Sequence, residues 1–327
     1  MSGANSAPMT TPRPYFRDAG CGPAVVCLHA NASTSAQWRL LTEQLSPGCR
    51  VLAPDAYGSG KSPDWPSRDE ITLGDEVAFI EPVLRLAGSP LALVGHSYGA
   101  AVALMAALAN PARVRALVLY EPTLFSLVDA RGAPPNGADG IRQAVRAAAA
   151  ALDRDDRHAA AQHFIDFWMG PGSWQATPIA RRQPIADAVA NVRRWAHALF
   201  TEPTPLPAFA SLDMPILYLL GQDSPAPAHA VAEILLPALP RARLVALAGV
   251  GHMAPITHPE VVNAEIARFL AETAPHAPQA AGNVTLTLNP RPSSPSASAT
   301  SPPCASAMSR TIASPSPLPE PPEPGSR

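Results

Sequence analysis

The sequence predicts an α/β fold in which a mostly parallel central sheet is flanked by helices. Short, continuous apolar segments alternate along the chain with segments that have helical apolar spacing. One apolar segment leads through a glycine-flanked serine directly into an alanine-rich helical segment. The chain has 327 residues, 47% of them hydrophobic, which is enough for one large domain or for one domain that carries an insertion.

Six apolar segments of strand length are predicted to form the sheet. They are mostly continuous rather than alternating, as is typical of strands covered on both faces. The predicted strands are 24–29, 50–54, 91–95, 114–120, 214–221 and 243–248. The predicted helices between and after them are 36–45, 71–86, 98–109 and 259–272. This alternation predicts parallel strands that are joined by right-handed crossovers.

Two parts of the chain depart from this alternation. The interval 123–205 has helical spacing without a strand pattern, which predicts a helical cap insertion over the carboxyl edge of the sheet, where ligands of open α/β sheets bind. From 274 to 327 the composition is dominated by Pro, Ser, Ala and Thr, and we predict a disordered tail. The predicted domain, including its insertion, therefore spans 14–273.

The sequence GHSYG, from Gly95 to Gly99, has the pattern G-x-S-x-G between a predicted strand and a predicted helix. In this context the turn is sharp, and side chains at Gly95 and Gly99 would collide with neighbouring backbone. The geometry exposes the Ser97 hydroxyl at a helix N-terminus, which favours developing negative charge. Ser97 is therefore the predicted nucleophile, whereas His96 is predicted to pack against the sheet.

The C-terminal third supplies the base and the acid that a serine nucleophile requires. His252 lies in a glycine-flanked loop after the last predicted strand, and Asp223 follows the strand before it. Both lie at the edge of the sheet where Ser97 is predicted. Glu121, after the strand 114–120, could orient His252 instead, but strand-end position and chain order favour Asp223.

A second histidine, His258, is an alternative base. It lies in the sequence THPE, where Thr257 and Glu260 predict a capping box and Pro259 suits a first helical turn. This assigns His258 to a helix start and leaves His252 as the base.

Charge and hydropathy limit the partners. The net charge of −2 argues against nucleic-acid binding, and no apolar segment approaches the roughly 20 residues that span a bilayer. The N-terminus has no basic segment followed by an apolar one, as a secretory signal would have. We expect a cytoplasmic monomer or homodimer that acts on a small molecule, without nucleic-acid or membrane partners.

At this point the chain resembles the α/β-hydrolase superfamily, serine-hydrolase (esterase-like) branch. The resemblance covers about 14–273 and rests on GHSYG, LLGQDS, GVGHMAP, PDAYGSGKSP and LHANAS. It implies Ser97 as nucleophile, His252 as base and Asp223 as acid, with no cofactor or metal. A serine at the centre of the GHSYG turn argues against the epoxide-hydrolase and haloalkane-dehalogenase branches, which need a carboxylate nucleophile.

The resemblance also implies an oxyanion hole formed by the backbone N–H groups of Tyr98 and Asn31. His29 is then expected to hold the shape of its loop rather than to react. Relatives usually carry glycine where this chain has Ala30, so Ala30 is expected to be strained if the position requires positive φ. In PDAYGSGKSP, a structural role is implied for Asp55, Gly58 and Gly60.

The cap is rich in large apolar residues, and Trp168, Met169, Trp174 and Phe200 are candidates for the substrate pocket. An apolar roof predicts a small or medium, largely apolar acyl substrate, with a carboxylic ester favoured. The same scaffold supports C–C bond hydrolysis, lactone opening, perhydrolysis and acyl transfer, and a non-catalytic binding protein is a further alternative.

Overall fold

A computed structural model of the chain describes residues 12–274. Within this part, strands form a seven-stranded sheet of order β1-β3-β2-β4-β5-β6-β7. The strands are β1 (Phe16–Ala19), β2 (Ala24–Leu28), β3 (Arg50–Pro54), β4 (Leu91–His96), β5 (Val114–Tyr120), β6 (Ile216–Gly221) and β7 (Ala242–Leu247). All neighbouring strands are parallel except β1, which pairs antiparallel with β3. The predicted α/β fold with a mostly parallel sheet is confirmed.

Helices cover both faces of this sheet and follow most of its strands. They are α1 (Arg39–Leu45), α2 (Leu73–Ala87), α3 (Tyr98–Ala109), α4 (Phe125–Arg131), α5 (Asp139–Leu152), α6 (Arg157–Met169), α7 (Ser173–Ala176), α8 (Ile179–Val189), α9 (Val192–Phe200), α10 (Ala226–Leu235), α11 (Ala254–Thr257) and α12 (Pro259–Glu272). Helices α1 and α12 pack against the strand side chains on one face of the sheet. Helices α2 and α3 pack against the strand side chains on the other face.

The burial of the strands explains their apolar sequences. All residues of β2, β4 and β6 are buried, because each lies between two neighbours and under helices on both faces. Helix α3 is buried from Tyr98 to Ala107, and its alanines allow it to lie close to the sheet. This central position fixes the N-terminus of α3 over the middle of the sheet.

The helical insertion comprises α4 to α9 and connects β5 to β6, within the predicted interval 123–205. Its helices continue the buried apolar cluster of the α2–α3 face through side chains such as Phe164, Trp195 and Leu199. The insertion leaves the sheet at the carboxyl end of β5, the edge at which β4 delivers Ser97. It therefore lies beside the predicted site.

Two local predictions differ from the structure. β1 was not predicted, since its sequence FRDA is short, polar and only partly buried. Helix α12 begins at Pro259 as expected, but its start has no side-chain cap, and the Thr257 hydroxyl donates instead to the Met253 carbonyl oxygen (3.2 Å). The predicted capping box is therefore wrong, although His258 does mark the helix start.

The predicted tail, 274–327, lies outside the described residues except for its first residue. Among residues 12–274, no helix has both the length and the apolar character needed to cross a bilayer.

Candidate active site

Ser97 lies in the sharp turn between β4 and α3. Its backbone has φ 56° and ψ −117°, a conformation that a non-glycine residue adopts only under local constraint. A Cβ at Gly95 would lie 2.5 Å from the Ala100 Cα, and one at Gly99 would overlap the backbone of Leu28. The two glycines thus permit the turn, and the turn presents the serine hydroxyl at the first turn of α3.

His252 is hydrogen-bonded to this hydroxyl. Its Nε2 lies 2.9 Å from the Ser97 Oγ, and its Nδ1 lies 2.6 Å from the Glu121 Oε2. Because the carboxylate can only accept, Nδ1 carries the ring proton and donates a hydrogen bond to it. Nε2 is therefore left unprotonated and can accept the hydroxyl proton of Ser97. The three side chains are almost completely buried and form one continuous chain of hydrogen bonds.

Glu121, and not Asp223, occupies the position of the acid. Glu121 follows β5 directly, is fully buried and has φ 47°, which turns its side chain towards His252. Its other oxygen, Oε1, accepts hydrogen bonds from the Gly221 N–H and the Ser224 hydroxyl, both at 2.6 Å.

The prediction that Asp223 orients His252 therefore disagrees with this geometry. The Asp223 side chain is exposed to solvent and has no hydrogen-bonding partner among the described residues. Only its backbone is fixed, by an N–H that donates to the Val250 carbonyl oxygen (3.0 Å). The end of β6 still contributes to the site, because the Gly221 N–H and the Ser224 hydroxyl donate hydrogen bonds to Glu121.

The loop after β2 contributes backbone donors. The Ala30 N–H donates to the Gln37 Oε1 (3.1 Å), whereas the Asn31 N–H has no acceptor among residues 12–274. Tyr98, directly after Ser97, is the first residue of α3, so its N–H has no acceptor within the helix either. The left-handed residue of the loop is Ala32 (φ 54°) rather than Ala30, so the strain expected at Ala30 is located two residues further on.

Two further histidines are buried around the site, and both are held neutral. The His29 Nε2 accepts from the Ala56 N–H (3.0 Å), so its Nδ1–H donates to the Ala30 carbonyl oxygen (2.7 Å). The His96 Nδ1 lies 3.1 Å from the Gln37 Nε2, and its Nε2 lies 2.8 Å from the His252 carbonyl oxygen. Burial lowers the pKa of His29, and burial together with the neighbouring His252 lowers the pKa of His96 well below its usual value.

The loop after β3 supports the site from outside. The Asp55 side chain is buried and accepts from the backbone N–H groups of Ser35 (2.5 Å) and Lys61 (3.0 Å). Gly60 has φ 55°, and a Cβ there would overlap the Asp55 carboxylate. Asp55 thus joins the loops after β2 and β3, which agrees with the structural role implied for it.

A buried carboxyl group, Glu76 of α2, was not predicted from the sequence. It accepts a hydrogen bond from the Tyr98 hydroxyl (3.2 Å) and lies 3.4 Å from the Tyr57 backbone nitrogen. Burial is the main reason that its pKa rises to about 8. Its place in the first turn of α2, between Asp75 and Val77, resembles an ordinary helix start in sequence, so no pattern marks it.

Two cavities lie in this region, and Ser97 lines the smaller one. The smaller one, about 20 Å³, is lined by Ser97 and Asn31 and otherwise mostly by apolar side chains of the insertion, including Phe200. The larger one, about 1170 Å³, lies between the insertion and the loops after β2, β3 and β7, and Met169 and Met253 line it. Of the predicted pocket residues, Phe200 therefore lines the small cavity and Met169 the large one.

Trp168 of α6 lines both cavities and lies against the base. Its ring is stacked on the His252 imidazole, with centroids 3.8 Å apart and planes at 24°. Trp174, the remaining predicted pocket residue, lines neither cavity and packs beside His158 and Arg182. Among residues 12–274, no group of three or more His, Cys, Asp or Glu side chains is arranged to hold a metal ion.

The sheet, the sharp turn at Ser97 and the serine–histidine–carboxylate geometry together define a hydrolase of the α/β class. Residues 23–259 match the family model described as alpha/beta hydrolase fold. The chain belongs to this family.

Named relatives include hydrolases of different kinds. Lipase LipV of Mycobacterium tuberculosis is 35% identical in an alignment of 127 positions that covers 36% of this chain and 47% of that protein. A haloalkane dehalogenase of Agrobacterium fabrum is 37% identical over 111 residues, which are 33% of this chain and 35% of that protein. The chain thus spans less than half the length of these curated relatives.

Solved structures share the fold over most of the chain. An α/β hydrolase from Sphaerobacter thermophilus is 26% identical with a TM-score of 0.59, covering 76% of this chain and 95% of that one. A thermophilic esterase from Thermogutta terrifontis is 24% identical with a TM-score of 0.64, covering 82% and 96%. At this identity the second likeness concerns the fold alone.

Proposed function

We propose that the protein is a serine hydrolase that cleaves a small or medium, largely apolar acyl ester through Ser97, His252 and Glu121. The observation that carries the proposal is the unbroken hydrogen-bonded chain from the Ser97 Oγ through His252 to Glu121. The similarity to a lipase over part of the chain is consistent with ester hydrolysis.

In the proposed reaction, the Ser97 Oγ attacks the ester carbonyl carbon while His252 Nε2 takes the hydroxyl proton. Glu121 holds the Nδ1–H tautomer and stabilises the imidazolium that forms. The tetrahedral oxyanion is bound by the N–H groups of Tyr98 and Asn31, and losing one such donor typically costs about 10²–10³ in kcat. His252 then protonates the leaving alcohol, and water cleaves the acyl-enzyme by the same steps.

The two cavities suggest how an ester is oriented. The leaving group must be protonated by His252, and the large cavity is lined by Met253, which follows His252 directly. The small cavity is lined by Ser97, from which the acyl group extends. We therefore assign the acyl chain to the small cavity and the alcohol portion to the large one.

Labelling with a fluorophosphonate probe tests the nucleophile. The wild-type protein should be labelled, Ser97→Ala should not, and Ser211→Ala, at an exposed serine remote in sequence, should be labelled normally. A series of p-nitrophenyl esters should then show highest kcat/KM for short acyl chains. Absence of labelling in the wild type, or equal labelling of Ser97→Ala, would contradict the proposed function.

A further inference from the structure

A buried residue that lines the small cavity beside Ser97 carries a hydroxyl group with no hydrogen-bonding partner in the described part of the chain. Thr123 lines this cavity, its residue is only 3% exposed, and its Oγ1 has no hydrogen-bonding partner among residues 12–274. Buried hydroxyl groups are almost always hydrogen-bonded, because an unpaired one loses its contacts with water without replacement.

The Thr123 hydroxyl does not cap the neighbouring helix, which is the usual structural role of a threonine at such a position. A threonine before a helix commonly caps it, but the start of α4 has no side-chain cap. The Thr123 carbonyl oxygen, rather than its side chain, bonds to the Phe125 N–H (3.0 Å). Thr123 also follows Glu121 by two residues, so the turn that fixes the acid also fixes this hydroxyl beside the nucleophile.

The other groups around the cavity make Thr123 distinctive. Ser97 is bonded to His252, and Asn31 also lines the large cavity. The remaining lining side chains, which include Phe125, Phe164 and Trp195, are apolar except for the indole N–H groups of the two tryptophans, which can donate a hydrogen bond but cannot accept one. Within this set Thr123 supplies an unoccupied donor and acceptor deep in an apolar surrounding, where one hydrogen bond discriminates strongly between ligands.

We propose that the Thr123 hydroxyl binds an oxygen substituent on the acyl chain, so that the preferred substrates are short esters of hydroxy or oxo acids. This inference rests on the proposed function. A hydroxyl group can donate to an oxo oxygen or pair with another hydroxyl. The substituent is uncharged, since no arginine or lysine among residues 12–274 lines the cavity. The acyl chain is short, since about 20 Å³ is little more than one water requires.

The test compares two esters whose short acyl groups differ only in this oxygen, phenyl hydroxyacetate and phenyl acetate. The measured quantity is the ratio of their kcat/KM values, because comparing this ratio between variants cancels intrinsic reactivity. Thr123→Val removes the hydroxyl at nearly constant shape and should lower the ratio about tenfold. Thr123→Ser should restore most of it, and Thr201→Val, at an exposed threonine, should leave it unchanged. An equal ratio in the wild type and Thr123→Val would overturn the proposal.

Binding separates this proposal from the proposed function. In the Ser97→Ala background, hydroxyacetamide should bind more tightly than acetamide, as measured by fluorescence of Trp168 and Trp195, and Thr123→Val should abolish the difference. If neither ester is hydrolysed but this preference is present, the hydrolase proposal fails and the Thr123 site stands. If both esters are hydrolysed and both amides bind equally, the Thr123 site fails and the hydrolase proposal stands.

Discussion

Replacing Glu121 by Gln tests which carboxylate serves His252. The Glu121 Oε1 accepts two hydrogen bonds of 2.6 Å, from the Gly221 N–H and the Ser224 hydroxyl. The amide oxygen of the variant must therefore take this position, since the amide nitrogen cannot accept from the Gly221 N–H. The amide NH₂ then faces the His252 Nδ1, at the position where the Glu121 carboxylate accepts a hydrogen bond at 2.6 Å.

This arrangement fixes the wrong tautomer. With an NH₂ donor opposite, Nδ1 becomes the acceptor, the ring proton moves to Nε2, and His252 can no longer accept the proton of Ser97. In the comparable aspartate-to-asparagine change of serine proteases, kcat falls about 10⁴-fold for the same reason. At about 1.36 kcal/mol for each factor of ten, this corresponds to a loss of about 5 kcal/mol of transition-state stabilisation.

The assay is hydrolysis of a short p-nitrophenyl ester at neutral pH. Glu121→Gln should lose about four orders of magnitude in kcat with a normal circular dichroism spectrum. The matched control is Asp223→Asn, whose exposed side chain should change kcat less than about threefold, since surface substitutions have small effects. If Asp223→Asn is the inactive variant and Glu121→Gln is active, the assignment of the acid is refuted.

Three further predictions concern the surroundings of the site. Trp168→Leu should lower kcat about fivefold, because the stacked indole stabilises the imidazolium by about 1 kcal/mol, whereas Trp174→Leu should leave kcat unchanged. Glu76 has a pKa of about 8 in the folded protein against 4.5 ordinarily, so its folded state retains a proton that the unfolded chain releases. The contribution of Glu76 to stability should therefore decrease from about pH 5 to about pH 8, opposite in sign to the contributions of the buried His29 and His96. The difference in unfolding free energy between the wild type and Glu76→Gln should fall over this range in urea denaturation, and parallel curves would contradict it. Gly99→Ala should lower the free energy of unfolding by about 3 kcal/mol, because its Cβ meets the backbone at the end of β2, and a loss below about 0.5 kcal/mol would contradict the close approach.

The parts of the fold that the sequence predicted are those in which local pattern and tertiary environment agree. β2, β4 and β6 are buried on both faces, so their continuous apolar sequences were sufficient to identify them. β1 has one neighbouring strand, β3, and two of its four residues are exposed. Its sequence therefore lacks a continuous apolar segment. Its pairing depends on the rest of the sheet being present.

The acid shows a different limit of sequence reasoning. Glu121 and Asp223 both follow parallel strands, and chain order cannot decide which side chain turns towards the base. The structure decides it through the positive φ of Glu121 and its two donors from the end of β6. One signal was present: Glu121 lies between the apolar LVLY segment and a proline, whereas Asp223 follows the polar Gln222. A charged residue inside an apolar segment is costly unless it is paired.

The hydrogen bonds of Gln37 limit how the loop after β2 can be exchanged for that of a relative. Its side-chain oxygen accepts from the Ala30 N–H, and its amide nitrogen lies 3.1 Å from the His96 ring, which in turn bonds to the carbonyl oxygen of His252. The loop that carries Asn31 and the loop that carries the base are thus joined by two side chains. A graft of 29–38 from a relative would bring a foreign partner to His96 and shift the histidine at the far side of the site. The exchangeable unit is therefore both loops together with Gln37 and His96.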